Sequence, residues 1–352
     1  MTHRDAPPLS GSGIDRDART RMSEATLDAA WREPQTRLLR LRGGQVSVLQ
    51  SVDGAIALAL SPITSDRLPS ALYLGRWEGR AIFAEVLDVQ STSGEQTDGT
   101  TGEPGDSGAA GDSGSAGDAG DAGDAGDAGD AAESGSPIAQ WRHPFEFSSD
   151  LDRAERELMT TALALSNWHA SHPYSTRDGQ RTEPVLGGWA RHDAHGGEHF
   201  PRTDPAVIVL VEHEDRLLLG SNVLWESGRF SLLAGFVEAG ESAEQAVVRE
   251  VGEEAGIRVG DVRYVASQPW PFPRSLMLGF RARLAPGVHP DDVIPEPEEI
   301  SELRWFTREE LRAPAPGLLL PGTLSIARWL IDGWVAEGDD HGEGSEDAGG
   351  VS

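Results

Sequence analysis

The sequence predicts an α+β protein in which an α/β sandwich domain follows a smaller β-rich domain. Three observations carry this reading. Short apolar runs broken by Gly, Asp and Pro fill residues 36–90, that patterning stops between residues 91 and 136, and beyond residue 201 strand-like runs alternate with two principal helical patterns.

At 352 residues the chain can hold two domains and irregular segments. Its net charge is −28, but residues 91–136 hold eleven acids and no base, and residues 337–352 add six more acids. Those segments account for most of the imbalance and leave about −11 for the rest. The acidity argues against broad electrostatic binding to nucleic acid or anionic membranes. There is no cysteine, so disulfides and thiolate metal sites are excluded. No apolar run approaches ~18 residues, and MTHRDAPPLSGSGIDRDART lacks the apolar core of a signal peptide, so a soluble cytoplasmic protein is expected.

Taken in order, residues 1–20 are polar and rich in Pro and Gly, and disorder is expected. Residues 21–90 form the β-rich domain, with TRLLRLRGGQVSVLQ, AIALALSP, ALYLGRWEG and RAIFAEVLDV as strands. Residues 91–136, ending in GDA triplets, have almost nothing to bury and read as a disordered acidic insertion. Residues 137–171 are a helical linker: Leu151, Leu158, Ala162, Leu165 and Trp168 recur at helical intervals, predicting a helix from Asp150 to about Ala170. Residues 172–200 are rich in Gly, His and Asp. The spacing of His172, His192, His195 and His199 fits no standard zinc motif, so solvated loop histidines are expected there. Residues 201–336 form the sandwich domain, closed by a helix over PGTLSIARWLIDGWVAE, and residues 337–352 are an acidic tail expected to be unfolded.

The chemistry is concentrated in GFVEAGESAEQAVVREVGEEAGI, Gly235 to Ile257. Ser242 with Gln245 forms a capping-box start and Gly256 a left-handed stop, predicting a helix from Ser242 to about Ala255. At ~100° per residue from Glu250, Glu254 lies near +40° and Glu253 near −60°. Val247, Val251, Ala255 and Val248 fall between about +60° and +160°. One face is carboxylate and the next is core. Clustered carboxylates repel one another, and oxygen-preferring cations such as magnesium or manganese are the usual compensation.

This stretch fits G-x5-E-x7-R-E-U-x-E-E-x-G-U, U being aliphatic, at Gly235, Glu241, Arg249, Glu250, Val251, Glu253, Glu254, Gly256 and Ile257. It resembles the Nudix box. The resemblance implies a Nudix α/β/α sandwich and hydrolysis of a nucleoside diphosphate joined to another moiety. Ten residues further on stands SQPWPFPRS, Ser267 to Ser275, whose three prolines fix the backbone while Trp270 and Phe272 offer flat faces. With HFPRTDPAVI, EPEEISELRW and PGTLSIARWLI, this array is similar to the NADH pyrophosphatase (NAD diphosphatase, NudC-type) branch.

That branch implies metal ligation by Glu250, Glu254, Glu299 and the Ala234 carbonyl, with Glu253 a further candidate. Catalytic roles fall to Glu250, Glu253, Glu254 and Arg249, the last orienting carboxylates through an ion pair. Substrate contacts fall to Gln268, Pro269, Trp270, Pro271, Phe272, Pro273, Arg274 and Ser275, to Phe200 and Phe236 as stacking surfaces, and to Ala327. Family members commonly carry tyrosine where Phe200 stands, and a four-cysteine zinc ribbon where Ser175, Asp178 and 193–198 stand. A degenerate, cysteine-free ribbon-like segment without zinc is therefore expected, held by packing and hydrogen bonds or partly loose. The family also often shows an Arg where Phe145-Glu146 stands.

The resemblance thus implies a homodimeric enzyme that uses magnesium or manganese to cleave NADH or NAD into the mononucleotide and AMP. The alternatives are removal of NAD caps from RNA, cleavage of another nucleoside diphosphate derivative, and a non-catalytic nucleotide-sensing module. No membrane partner is expected.

Overall fold

The computed structural model describes residues 6–11, 13–87 and 139–342. The insertion expected at 91–136 and residues 343–352 of the expected tail lie outside the described residues.

The amino-terminal sheet is built from β1 (Arg37–Arg42), β2 (Gln45–Gln50), β3 (Ile56–Leu58), β4 (Ser61–Pro62), β5 (Leu72–Trp77), β6 (Arg80–Leu87) and β7 (Ala139–Arg142). Its order is β3-β2-β1-β6-β5, with β4 on β1 and β7 on β2, so the chain leaves this sheet at Leu87 and rejoins it at Ala139. Side chains alternate between its faces. Leu39, Leu41, Leu72, Leu74 and Ile82 pack against α2 (Arg153–Ser171), while Leu38, Tyr73, Ala81 and Phe83 pack against α1 (Glu24–Trp31). α2 fits the expected linker helix, its start fixed by an Asp152–Glu155 capping box. α1 went unread in the sequence, although Ser23 accepts the Thr26 N–H as its cap.

The expectation of disorder over residues 1–20 is corrected for residues 6–11 and 13–20. Leu9 is 2% exposed, the Gly13 and Ile14 N–H groups donate to Glu157 at 2.9 and 3.3 Å, and Asp15 and Arg76 exchange backbone hydrogen bonds. Composition hid this because every one of those partners is distant in sequence.

Residues 183–199 form a small antiparallel sheet of β8 (Glu183–Val185), β9 (Ala190–His192) and β10 (Glu198–His199). The third sheet comprises β11 (Asp204–His213), β12 (Arg216–Asn222), β13 (Leu233–Phe236), β14 (Val259–Trp270), β15 (Ser275–Leu284) and β16 (Ile300–Thr307), in the order β14-β15-β11-β12-β16 with β13 on β11. Along β11, Val207, Val209 and Val211 face α3 (Ala243–Ala255), and Ile208 and Leu210 face α5 (Ile326–Gly342), with the short α4 (Arg308–Arg312) beside it. The result is the expected α/β/α sandwich. α5 runs six residues past the expected domain end at Ala336, into the tail expected to be unfolded, and Glu337 there receives Arg281 at 2.8 Å. Among the described residues no helix is long and apolar enough to cross a membrane.

Candidate active site

α3 begins and ends where its sequence demands. The Gln245 N–H donates to Ser242 Oγ at 3.2 Å and the Ser242 N–H to Gln245 Oε1 at 2.9 Å, satisfying two amides that the helix leaves open. Gly256 ends it at φ 68°, a left-handed backbone that glycine takes without steric cost.

Ala246, Val247, Val251 and Ala255 are buried, and Glu254 lies within the same stripe at 8% exposure. Val248, expected on the core face, is instead 41% exposed. Ala246 widens the stripe on the Glu254 side, and Val248 falls past its other rim. Glu250 packs beneath Gly235, where a Cβ would stand 2.0 Å from its carboxyl group. The motif opens on glycine because the carboxylate occupies the space of a side chain.

Arg249 organises the remaining acids. Its Nε and Nη2 donate to both oxygens of Glu241 at 2.9 Å, a bidentate pair, while Nη1 reaches Glu250 Oε1 and Glu253 Oε2 at 2.9 Å each. Nη2 also donates to the Phe236 carbonyl. The sequence reading assigned Glu241 no role, though its fixed place in the spacing was a usable signal.

Glu254 is the least satisfied group here. The Ala234 N–H is directed at it, yet its Oε2 has no hydrogen-bond partner. Burial, then the charges of Glu250 and Glu299, push its pKa up to about 8. Glu250 is also raised, by burial first, against the opposing effect of Arg249. Glu299 is exposed in the turn before β16, its N–H held by Glu296 Oε2 at 2.9 Å, and Glu253 is exposed on the helix. Among the described residues no three His, Asp or Glu side chains form a ready-made cage. The donor set nevertheless fits a hard divalent cation: it is all oxygen, carries surplus negative charge, and includes one buried oxygen with nothing bound to it.

Sheet register brings a second group of residues to this site. Ala206 pairs with Phe236 on one side and Met277 on the other, Asp204 pairs with Ser275, and the Val237 N–H donates to Pro205 O. The crown of the β14–β15 hairpin therefore lies at the sheet end where the motif loop begins. Phe200 and Phe236, 60% and 37% exposed, flank that end.

Residues 202–330 match the family described as the NUDIX domain. Over 353 residues the chain is 37% identical to the NAD-capped RNA hydrolase NudC of Mycobacterium bovis, spanning 95% of this chain and 96% of that protein. The chain belongs to the Nudix hydrolases, in their NADH pyrophosphatase family. The protein of the same name from Mycobacterium tuberculosis is also 37% identical over 95% of this chain and 96% of its own length. That of Stutzerimonas stutzeri is 40% identical over 57% of this chain and 69% of its own. Nudix hydrolases generally use divalent metals such as magnesium or manganese.

Within this Nudix hydrolase the expected substrate residues divide. Trp270, Phe272, Pro269, Arg274 and Ser275 are half-buried, Pro273 is exposed and Pro271 buried, and all stand at or beside the crown. Arg274 is tied to Asp204 at 2.7 Å. Two others turn inward, which corrects the expectation of substrate contacts from them. Gln268 is fully buried, donating to Pro8 O at 2.6 Å and Leu324 O at 2.8 Å and accepting the Ile326 N–H at 2.8 Å, so its amide is spent on the fold. Ala327 is 1% exposed in the core beneath α5, and its N–H donates to Ser325 Oγ. Phe145, standing where the family often has an Arg, packs on Phe272 and Trp270 with ring centroids 4.6 and 5.6 Å away.

In the ribbon-like segment the four histidines do not converge. His172 meets Ser171 Oγ, His192 meets Glu198, His195 meets Asp178 and His199 meets Asp193. Ser175 accepts the Arg177 N–H and Asp178 that of Gln180, while Asp193 accepts those of His195 and Gly197 at 2.9 and 2.7 Å. Hydrogen-bonded turns occupy the positions where the family commonly carries cysteine.

Proposed function

We propose that this Nudix hydrolase cleaves the pyrophosphate of NADH or NAD, with magnesium or manganese, to the nicotinamide mononucleotide and AMP. The supporting observation is the register that sets the aromatic crown, Phe200 and Phe236 at the same sheet end as the carboxylates of α3. A substrate with a flat base at each end and a pyrophosphate between them matches that arrangement.

Glu250, Glu254 and Glu299 would hold the cation, with the Ala234 carbonyl and Glu253 as further donors. A cation held there would offset charge on the phosphoryl oxygens and lower the pKa of a nearby water. Arg249 fixes Glu250 and Glu253, and Gly235 lets Glu250 approach the sheet. Water attacks one phosphorus in line with the bridging oxygen, which leaves as a phosphate monoester, and the water's proton passes to a carboxylate of the cluster. Phe200, Phe236, Trp270 and Phe272 supply the stacking faces, and no zinc is assigned to the ribbon-like segment. The reading includes a cytoplasmic location and a homodimer, which light scattering on the purified protein tests.

Product chromatography with NADH, NAD, ADP-ribose and a diadenosine polyphosphate decides the substrate. AMP and the reduced mononucleotide, formed fastest from NADH, are expected; efficient cleavage of only the other compounds would discard the assignment. A second reading, removal of NAD caps from RNA, is favoured by the names of the mycobacterial relatives. Arg202 and Arg274 are paired with Asp204, and Arg281 and Arg283 with Glu212. These pairings favour a short capped end over a long RNA track, and cleavage of a capped RNA should respond weakly to salt.

A further inference from the structure

The crown of the β14–β15 hairpin is stiffened by its prolines but takes hydrogen-bond donors from outside the hairpin. Prolines at 269, 271 and 273 remove three N–H donors from the segment, so its carbonyls need donors from elsewhere. The amino-terminal half supplies them. Asn167 on α2 donates from one atom, Nδ2, to Pro271 O at 2.7 Å and to Pro273 O at 3.2 Å. Those two carbonyls bracket Phe272, and Trp270 immediately precedes them. Both rings rest against the core that α2 forms with the amino-terminal sheet. Phe145 packs against them from the linker, and Pro8 O anchors Gln268 beside the crown. Asn167 itself is half-buried on α2, directly before the fully packed Trp168, so its backbone is fixed before its amide reaches out.

We propose that Asn167 is a positioning residue of the substrate site, holding the proline crown so that Trp270 and Phe272 present their faces, and that it thereby sets the preference for substrates carrying a second base. This rests on the dinucleotide reading above. Asn167 touches no substrate and takes no part in the phosphoryl chemistry, which lies with α3. Its loss therefore weakens recognition and leaves turnover intact.

The test compares Asn167→Ala and the isosteric Asn167→Asp, which keeps the shape but has no N–H to donate, with the unaltered protein on NADH and on ADP-ribose, which lacks the second base. The expected result is a roughly tenfold fall in kcat/KM for NADH, carried by KM, with ADP-ribose changed less than twofold and the melting temperature retained. Hydrogen exchange at the Trp270, Phe272 and Arg274 amides should quicken in both variants. A parallel fall on both substrates together with a lower melting temperature would show a merely structural residue and overturn the proposal, as would unchanged crown exchange. An unaltered protein that leaves NADH intact would sink the dinucleotide reading and the preference with it, while crown exchange would still decide whether Asn167 holds the loop.

Discussion

Asp193 in the ribbon-like segment and Glu254 on α3 are both carboxylates shut away from solvent, and the chain treats them in opposite ways. Asp193 accepts the N–H groups of Gly197 and His195 and stands beside His199, and these donors hold its carboxyl group below the usual range. Glu254 has one oxygen without a partner, and burial with Glu250 and Glu299 nearby drives its pKa up to about 8. The first arrangement is complete without a ligand; the second holds a charged carboxylate only when a cation offsets it, and otherwise favours the protonated form. Saturation by the chain marks a structural carboxylate, and unsatisfied charge marks a functional one.

The comparison breaks most directly at Glu254. Glu254→Gln should cost about a thousandfold in kcat at saturating magnesium, with a melting temperature little changed, because burial and its neighbours already disfavour the charged carboxylate that the amide replaces. A variant that kept full turnover would remove this residue from the mechanism. Next in size is Gly235→Ala. Its methyl group would displace only the carboxylate end of the Glu250 side chain, so the fold should survive while kcat falls about a hundredfold. Unfolding in place of inactivation would show that the glycine serves the backbone.

Asp193→Ala should show the reverse pattern. The two amides and His199 lose their acceptor, so the melting temperature should fall, while kcat and KM for the preferred substrate stay within about twofold, as expected away from the chemistry. A further expected effect is a pH dependence where α2 packs against the same segment. His169 Nε2 donates to Gly188 O, and its Nδ1 accepts from Arg191. Burial, then the Arg191 charge, lower its pKa from 6.5 to about 4. The unfolded chain therefore binds more protons between those values. This contribution to stability is fully present above pH 6.5 and is lost as pH falls toward 4, by about 3 kcal/mol at most. Urea titrations at pH 7 and pH 5 should show the loss, and His169→Leu should flatten the difference.

Much of the site was legible because its signals are local. The spacing from Gly235 to Ile257, the Ser242–Gln245 cap and the Gly256 stop each follow from residues within one or two helical turns, and the structure reproduces them. The alternation of sheet faces along β11 was equally readable, since side chains on a strand must alternate. Three features were not. Gln268 became a buried clasp and not a substrate contact because its partners are Pro8, Leu324 and Ile326. Residues 13–15 became ordered because Glu157 and Arg76 bind their backbone, although their own composition predicts disorder. Val248 missed the core because Ala246 and Glu254 moved the centre of the buried stripe. The sequence alone determined where the motif helix begins and ends and which residues its spacing singles out, since those depend on near neighbours. Which carboxylate is left unsatisfied, and which end of the sheet gathers the rings, was decided only when chain segments well separated in sequence came into contact.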